Sequence, residues 1–376
     1  MIKEVTDFHP EAQPVSVERY GAGFERRIEI PGAGMFTIYH PIKNTASTPE
    51  DIIVPLHNDV VDILYRPREE AACGGVDIAE ECMDIVIEHR RTLSPEDWFE
   101  IHANHPPSKG VERKILYEQE GVQFGVPIEE IPAGSVYFFS AHGADPKEIQ
   151  KAIDHGLHVI DTTCPLVDRI YGQMRGGLKK TQNPESTGVL YLSPLHLKTH
   201  PEVVGANGNA NEMGLTFVPV RTTEEALRIF EGDELIGPEQ VSVDGITTFI
   251  VTGLTTNNAD EVLEMGRRFQ EAAQDHPGMD VIPYKKSTVC NTVKLRQEAL
   301  QEIIRLDDAN LLTIIGAVDS NNTNEQVRVA LAATVARARE FGDTALRTIV
   351  FSNHFSHVPE GLAGTVALSS GASAGK

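Results

Sequence analysis

From Ala71 onward, short apolar runs of strand length alternate with longer segments of helical periodicity. Ser135–Ser140 is one such run, and Asp145–His155 follows it as a predicted helix with Asp145 at the N-cap and Pro146 in the first turn. Further strands are predicted at Leu157–Ile160, Gly188–Leu192, Thr247–Val251 and Asn310–Ile315, and further helices at Val76–His89, Glu224–Glu231, Asn258–Ala273, Val293–Arg305 and Asn324–Phe341. Such alternation is typical of parallel sheets covered on both faces, so the sequence predicts an α/β fold.

The first 66 residues are less clearly patterned. They contain strand-like runs at Arg27–Ile30 and Met35–Tyr39 and a short apolar run at Asp51–Pro55. We interpret them as an N-terminal extension. Further along, Gly205–Gly214 is rich in Gly and Asn and is predicted to be a loop.

Charge and hydropathy exclude several classes of protein. The chain has 33 basic and 55 acidic residues, a formal net charge of −22, which argues against a general nucleic-acid binder. An anionic substrate would need a locally favourable pocket inside this repulsive field. No apolar stretch is long enough to span a membrane, and Met1–Pro14 is charged and has no apolar core of a signal peptide. We therefore expect a cytoplasmic protein that does not bind membranes.

The four cysteines are too few for a disulfide framework in a chain of 376 residues. Counting alone favours small buried hydrophobic side chains, and Cys82 fits that interpretation on the apolar face of a predicted helix. Cys73, Cys164 and Cys290 instead each directly precede a predicted helix. Helix N-termini stabilise thiolates and other anions, so these three are candidate metal ligands, although only the fold can bring them together. Three thiolates on a [4Fe–4S] cluster would leave one iron open to a substrate.

Seven short motifs occur in a fixed order between Ala71 and Ala374. They are Cys73-Gly-Gly-Val-Asp, Phe139-Ser-Ala-His-Gly143, Val159-Ile-Asp-Thr-Thr-Cys-Pro165, His200-Pro-Glu-Val-Val-Gly205, Cys290 with Arg296-Gln-Glu-Ala, Gly316-Ala-Val-Asp-Ser-Asn-Asn-Thr-Asn324 and Gly371-Ala-Ser-Ala374. In this order they resemble the motifs of the 4-hydroxy-3-methylbut-2-enyl diphosphate reductase family. Each motif alone is weakly specific, whereas the ordered set is strong.

The resemblance implies a trefoil of three small α/β domains with parallel sheets around a central [4Fe–4S] cluster. Cys73, Cys164 and Cys290 would be the ligands of the cluster. With one cysteine in each domain, we expect an N-terminal extension over residues 1–66 and domains over residues 67–160, 161–285 and 286–376.

The activity that the resemblance implies is the two-electron reductive dehydroxylation of 4-hydroxy-3-methylbut-2-enyl diphosphate. The products would be isopentenyl and dimethylallyl diphosphate, the isoprenoid precursors made by the methylerythritol phosphate pathway. The chain has no credible flavin or nicotinamide fingerprint, so the electrons would come from an external ferredoxin or flavodoxin. Arg90, Arg91, Lys179 and Lys180 are candidates for a local basic surface that would face such an acidic donor.

The resemblance also assigns roles to individual residues. Glu202 matches the acidic proton-relay residue. Thr255 or Thr256 resembles a family hydroxyl that binds the substrate alcohol, and we favour Thr255. The side chains that would bind the diphosphate are His142, His200, Ser320, Asn321, Asn322 and Ser373. In the family, a further histidine is followed by Asn and comes after the first cysteine. His57 is followed by Asn but precedes Cys73, whereas His102 and His105 come after Cys73 but lack the Asn. We favour His105 because order follows the fold.

Several departures from the family pattern surround the expected substrate site. Asn321 replaces a usual serine, Val293-Lys-Leu precedes Arg296, and Ala206-Asn-Gly follows the Glu202 motif. These changes keep other hypotheses open. One is a paralogous three-cysteine dehydratase or dehydroxylase with another substrate, as in quinolinate synthase, which has a similar open cluster. Another is a non-catalytic cluster protein that senses redox state and does not need Glu202.

Overall fold

The computed structural model describes residues 74–107, 111–181, 183–193 and 200–283. It also describes positions 289, 290, 293, 294, 297, 298, 301 and 329, and the backbone of strands within 23–67 and 311–368. Among the described residues, no helix is both long and apolar enough to cross a membrane.

Two antiparallel hairpins lie within residues 23–67. Strand β1 (Gly23–Ile30) pairs with β2 (Gly34–Pro41), and β3 (Ile53–Leu56) pairs with β4 (Leu64–Pro67). The strand-like runs of the sequence fall within these hairpins.

The first parallel sheet has four short strands in the order β6-β5-β7-β8. Its elements are α1 (Gly74–Thr92), β5 (Ile101–Ala103), α2 (Val111–Gln119), β6 (Val122–Phe124), β7 (Val136–Phe139), α3 (Pro146–Asp154) and β8 (His158–Asp161). Helix α3 begins as predicted, because the Asp145 carboxylate accepts the Lys147 N–H at 2.9 Å. The interior face of α1 packs on the sheet, and Cys82 is fully buried there.

The second parallel sheet has the order β10-β9-β13-β14. Its elements are α4 (Pro165–Thr181), β9 (Thr187–Leu192), α5 (Pro201–Glu212), β10 (Thr216–Val220), α6 (Thr223–Leu227), the small antiparallel ribbon β11 (Leu235–Ile236) and β12 (Val241–Ser242), β13 (Thr248–Gly253), α7 (Ala259–Ala273) and β14 (Asp280–Ile282). Helix α7 begins after Asn258, whose side chain accepts the Asp260 N–H.

The third parallel sheet has the order β15-β16-β17, formed by Leu311–Ile315, Arg347–Phe351 and Val366–Leu368. The described positions of the two predicted C-terminal helices, including Val293, Gln297 and Val329, are helical. Three parallel sheets alternating with helices confirm the predicted α/β fold class.

The core explains why β9 and β13 are apolar throughout. Every residue of these two central strands is buried, because helices cover both faces of their sheet. Leu190 and Val251 point into one apolar cluster, whereas Tyr191 and Ile250 point into the cluster on the other face. Burial on both faces therefore fixes the carboxyl ends of β9 and β13, and the candidate site lies at those ends.

The prediction of a loop at Gly205–Gly214 was wrong, because residues 201–212 form helix α5. Pro201 occupies its first turn, and Gly205 allows close packing against the Tyr171 hydroxyl of α4. Asn209 is buried, and its amide donates to the Gly205 carbonyl at 2.9 Å and the Ala144 carbonyl at 3.4 Å. Tight packing between helices therefore overrides the weak helix propensity of Gly and Asn.

Candidate active site

Polar side chains gather where parallel strands of two sheets end. Strand β7 is followed by His142, β8 by Cys164, and β13 by Thr255. In open α/β sheets, ligands bind outside the carboxyl ends of the strands. These loops therefore form the candidate active site.

Cys164 lies at the start of α4, as predicted. Its N–H donates to the Ala141 carbonyl at 2.8 Å, and its own carbonyl accepts the Asp168 N–H at 3.0 Å. The preceding turn is fixed by Asp161, whose carboxylate accepts the Thr163 N–H at 2.9 Å. The half-buried thiol thus lies beside the positive end of a helix.

Gly75 forms a cradle against Cys164. A Cβ placed on Gly75 would lie 3.0 Å from the Cβ of Cys164 and 3.2 Å from its sulfur. The first turn of α1 can approach this thiol closely because residue 75 has no side chain. Cys73 precedes Gly75 by two residues in the sequence and lies outside the described residues.

Cys290 is joined to the second sheet through Thr255. The Cys290 N–H donates to the Thr255 carbonyl at 2.7 Å, and the Cys290 carbonyl accepts the Lys294 N–H at 3.0 Å. Cys290 is half-buried and packs beside an apolar cluster. Like Cys164, it precedes a helical turn.

Glu202 is almost completely buried, with 2% of its surface exposed, in the first turn of α5. One carboxylate oxygen, Oε1, accepts the Thr255 N–H at 2.7 Å and the Tyr191 hydroxyl at 3.2 Å. The other oxygen, Oε2, accepts the Thr255 hydroxyl at 2.9 Å. Thr255 therefore binds Glu202 through two groups and Cys290 through a third.

Burial raises the pKa of Glu202 to about 7, although the hydrogen bonds from Thr255 and Tyr191 act in the opposite direction. Desolvation disfavours the charged carboxylate, and this effect is the larger. A carboxyl group with this pKa can hold and release a proton near neutral pH, as a general acid must.

The two predicted diphosphate-binding histidines lie together. The rings of His142 and His200 are in edge contact, with centroids 5.7 Å apart. His200 caps α5, because its Nδ1 accepts the Glu202 N–H at 3.3 Å. This bond requires an unprotonated Nδ1 and makes Nε2 the donor nitrogen. His142 Nδ1 lies 3.4 Å from the Ser140 hydroxyl.

The loop after β5 joins this region through Asn104. Its side-chain oxygen Oδ1 accepts the Ser140 N–H at 2.9 Å, and its backbone N–H donates to the Phe138 carbonyl at 3.1 Å. His105 follows in this loop and is exposed, whereas His102 is buried and hydrogen-bonded to Glu100 at 2.8 Å. The loop that carries His105 therefore begins beside the loop that carries His142.

The structure brings together six residues predicted for the site. Glu202, Thr255 and Cys290 form one hydrogen-bonded chain, His200 joins it to His142, and Cys164 bonds to Ala141 beside His142. Of the other predicted residues, Cys73, Ser320, Asn321, Asn322 and Ser373, and the alternative His57, lie outside the described residues, so their roles stay predictions, as does the role of His105. Among the residues that are described, no three His, Cys, Asp or Glu side chains form a metal site.

Two tyrosines at the site were not identified from the sequence. Tyr191 is fully buried on β9 and binds Glu202. Tyr171 on α4 lies between Gly143 and Gly205, and its hydroxyl has no hydrogen-bond partner within the described parts of the chain. In an apolar strand or helix face, a tyrosine resembles any core aromatic residue. The sequence therefore carried no signal that would have singled out these two residues.

Comparisons with known proteins indicate the family of this chain. The family model described as "LytB protein" matches residues 66–376. A 4-hydroxy-3-methylbut-2-enyl diphosphate reductase of Tropheryma whipplei is 28% identical over 280 residues, which cover 72% of this chain and 74% of that protein. One of the same name from Leifsonia xyli is 25% identical over 320 residues, covering 85% and 81%.

The fold is also similar to a solved structure. The E-1-hydroxy-2-methyl-but-2-enyl-4-diphosphate reductase of Plasmodium falciparum aligns with a TM-score of 0.53 and 20% identity, covering 79% of each chain. At this identity the likeness concerns the fold alone. The family model matches most of the sequence and includes all three candidate cysteine ligands, and on this basis the chain belongs to the LytB protein family.

Proposed function

We propose that this protein reduces 4-hydroxy-3-methylbut-2-enyl diphosphate to isopentenyl and dimethylallyl diphosphate. The observation that carries the proposal is the buried Glu202 carboxyl group, joined through Thr255 to Cys290. A carboxyl group of raised pKa is therefore connected to a candidate metal ligand through one intervening residue, Thr255. The names of the similar proteins supply the substrate.

The residues present fit a [4Fe–4S] cluster held by Cys73, Cys164 and Cys290. Cys164 and Cys290 each precede a helical turn, and the absence of a side chain at Gly75 lets the first turn of α1, which follows Cys73 in the sequence, approach the Cys164 sulfur closely. When bound by three cysteines, such a cluster supplies electrons and one iron that is open as a Lewis acid.

Glu202 would supply protons to the reaction. Replacing a hydroxyl group by hydrogen consumes two electrons and two protons and releases water. The leaving hydroxyl needs one proton and the allylic carbon needs the other. Glu202 can deliver a proton through Thr255, since the Thr255 hydroxyl both donates and accepts hydrogen bonds.

The diphosphate would be bound by hydroxyl, amide and imidazole donors. His142 and His200 lie in ring contact at one side of the site, and the Nε2 of His200 is a donor nitrogen. We propose that His105, Ser320, Asn321, Asn322 and Ser373 complete this set. Hydroxyl, amide and imidazole donors can hold phosphate oxygens without a dense cluster of Lys and Arg. The net charge of −22 is therefore compatible with an anionic substrate.

The external electron donor would be a ferredoxin or flavodoxin. Of the candidate basic residues, Arg91 is paired with Glu88 and Glu120, and the guanidinium of Arg90 is buried over the Trp98 ring. These contacts leave Lys179 and Lys180, exposed at the end of α4, as the better candidates for contact with an acidic donor.

Anaerobic reconstitution tests the proposal. The purified protein should bind iron and sulfide in the ratio of a [4Fe–4S] cluster and become brown. With a reduced low-potential dye, it should then convert the allylic diphosphate to the two isomeric products. A colourless protein without bound iron would exclude the cluster, and a brown protein without turnover would favour the paralogue or the redox sensor.

A further inference from the structure

The geometry points to Tyr191 as the positioning residue that decides which oxygen of Glu202 carries the proton. This inference rests on the proposed role of Glu202 as the acid. Tyr191 does not touch the reacting atoms in this scheme, and it acts through the carboxyl group that it binds.

The hydrogen bonds around Glu202 are unequal. Oε1 accepts two donors, the Thr255 N–H at 2.7 Å and the Tyr191 hydroxyl at 3.2 Å. Oε2 accepts one described donor, the Thr255 hydroxyl at 2.9 Å. A carboxylate oxygen offers about two lone-pair sites, so both sites of Oε1 are filled. The proton therefore binds to Oε2.

The two groups of Thr255 that bind Glu202 also differ in whether they can relay a proton. The Thr255 N–H is part of the backbone and cannot become an acceptor. The Thr255 hydroxyl can rotate and accept the proton that Oε2 carries. Tyr191 thus keeps Oε1 as the carbonyl-like oxygen and leaves the exchangeable proton on the side of the Thr255 hydroxyl. Without the Tyr191 hydroxyl, Oε1 would have an open site and the proton could bind to either oxygen.

Tyr191 is held firmly enough for this role. Its side chain is fully buried on β9, and its ring packs against Phe217 with centroids 5.1 Å apart. Other titratable groups that face this region are Tyr171 from α4 and His200 at the start of the helix of Glu202 itself. The Tyr191 hydroxyl is the phenol that donates to the carboxylate.

Infrared difference spectroscopy across a pH titration tests the inference in the reconstituted protein. Comparison with Glu202→Gln assigns the carboxylic acid band of Glu202. In Tyr191→Phe, the C=O stretch should move to higher wavenumber, because the carbonyl oxygen loses a hydrogen bond. The titration midpoint of Glu202 should rise by about one pH unit, since the lost bond favoured the ionised form. The acidic group in the pH profile of turnover should shift equally.

Tyr137→Phe is a matched control. It removes another buried tyrosine hydroxyl, on β7, and should change neither the band nor the midpoint. Replacing Tyr191 by 3-fluorotyrosine makes the hydroxyl a stronger donor and should lower the midpoint. This variant tests the role of Tyr191 even if Tyr191→Phe does not fold.

An unchanged band and midpoint in folded Tyr191→Phe, or an unchanged midpoint with 3-fluorotyrosine, would overturn the inference. Both readouts need no substrate. Failure of the proposed function would instead show as a normal Glu202 titration without conversion of the diphosphate.

Discussion

The region around Glu202 and the region around His142 meet at His200, but they hold their polar groups by different means. Around Glu202, three donors from Tyr191 and Thr255 bind the two carboxylate oxygens, so hydrogen bonds fix its position. Around His142, shape is more important. Gly143 adopts a positive φ of 86°, and a Cβ there would overlap the Tyr171 hydroxyl.

This difference follows from what each region has to do. A buried acid needs a defined charge state, which hydrogen bonds and burial set together. A loop that presents a histidine to an anion needs a fixed backbone path, which close packing can supply without polar contacts. Substitutions that remove hydrogen bonds should therefore impair the first region most, and substitutions that add volume should impair the second.

The largest effect is expected at Glu202. Replacing it by glutamine keeps the size of the side chain and removes the exchangeable proton. Turnover should fall about 10³-fold, equivalent to about 4 kcal/mol, while the iron and sulfide content stays the same. Steady-state rates with a reduced dye would measure this.

Glu212→Gln is the matched control for that variant. Glu212 is exposed at the other end of α5, so its loss should leave turnover unchanged. Wild-type rates in Glu202→Gln would exclude the acid role. A simultaneous loss of iron would mean that the side chain supports the cluster instead.

The next effect is a pH dependence of stability. Burial raises the pKa of Glu202 to about 7 from its ordinary 4.5, so the folded protein binds this proton more tightly than the unfolded chain. The resulting stabilisation is fully present below about pH 4.5 and is lost as the pH rises through 7, by about 3 kcal/mol. Glu202→Gln has no such group. The free energy of unfolding of wild type minus that of the variant should decrease accordingly between pH 4.5 and 8, and a constant difference would contradict the raised pKa.

Some features of the fold and the site could be predicted from the sequence, whereas others depend on contacts between distant elements. The central strands β7, β9 and β13, the cap at Asp145 and the cysteines before helices follow local rules, and local signals predicted them. Helix α5 was predicted as a loop because its Gly and Asn are explained only by the packing of another helix against them. The partnership of Tyr191 with Glu202 depends on which face of β9 meets α5, and periodicity alone does not show this.

Gly143 tests the dependence of the second region on shape. Gly143→Ala places a Cβ against the Tyr171 hydroxyl and Val167, in addition to straining a backbone with φ of 86°. Gly134→Ala is the matched control, because Gly134 has nearly the same φ, 87°, with nothing within 4 Å. The free energy of unfolding should fall by about 2 kcal/mol more in the first variant than in the second. Adding Tyr171→Phe should recover part of that excess. Equal losses in both alanine variants would show that the structure relieves the overlap without a cost in free energy.

The smallest expected effect is a change in the free energy of unfolding when either tyrosine, Tyr171 or Tyr191, is replaced by phenylalanine. The Tyr171 hydroxyl is buried without a partner among the described residues, so Tyr171→Phe removes an unsatisfied polar group and should raise the free energy of unfolding by about 1 kcal/mol. The same change at Tyr191 removes a hydrogen bond to Glu202 and should lower that free energy at pH 8, where the carboxyl group is ionised. Both rings belong to one apolar cluster, so loss of ring packing cannot explain opposite signs. Chemical denaturation of the two variants at pH 8 would measure them, and destabilisation by Tyr171→Phe would mean that its hydroxyl is bound by a group beyond the described residues.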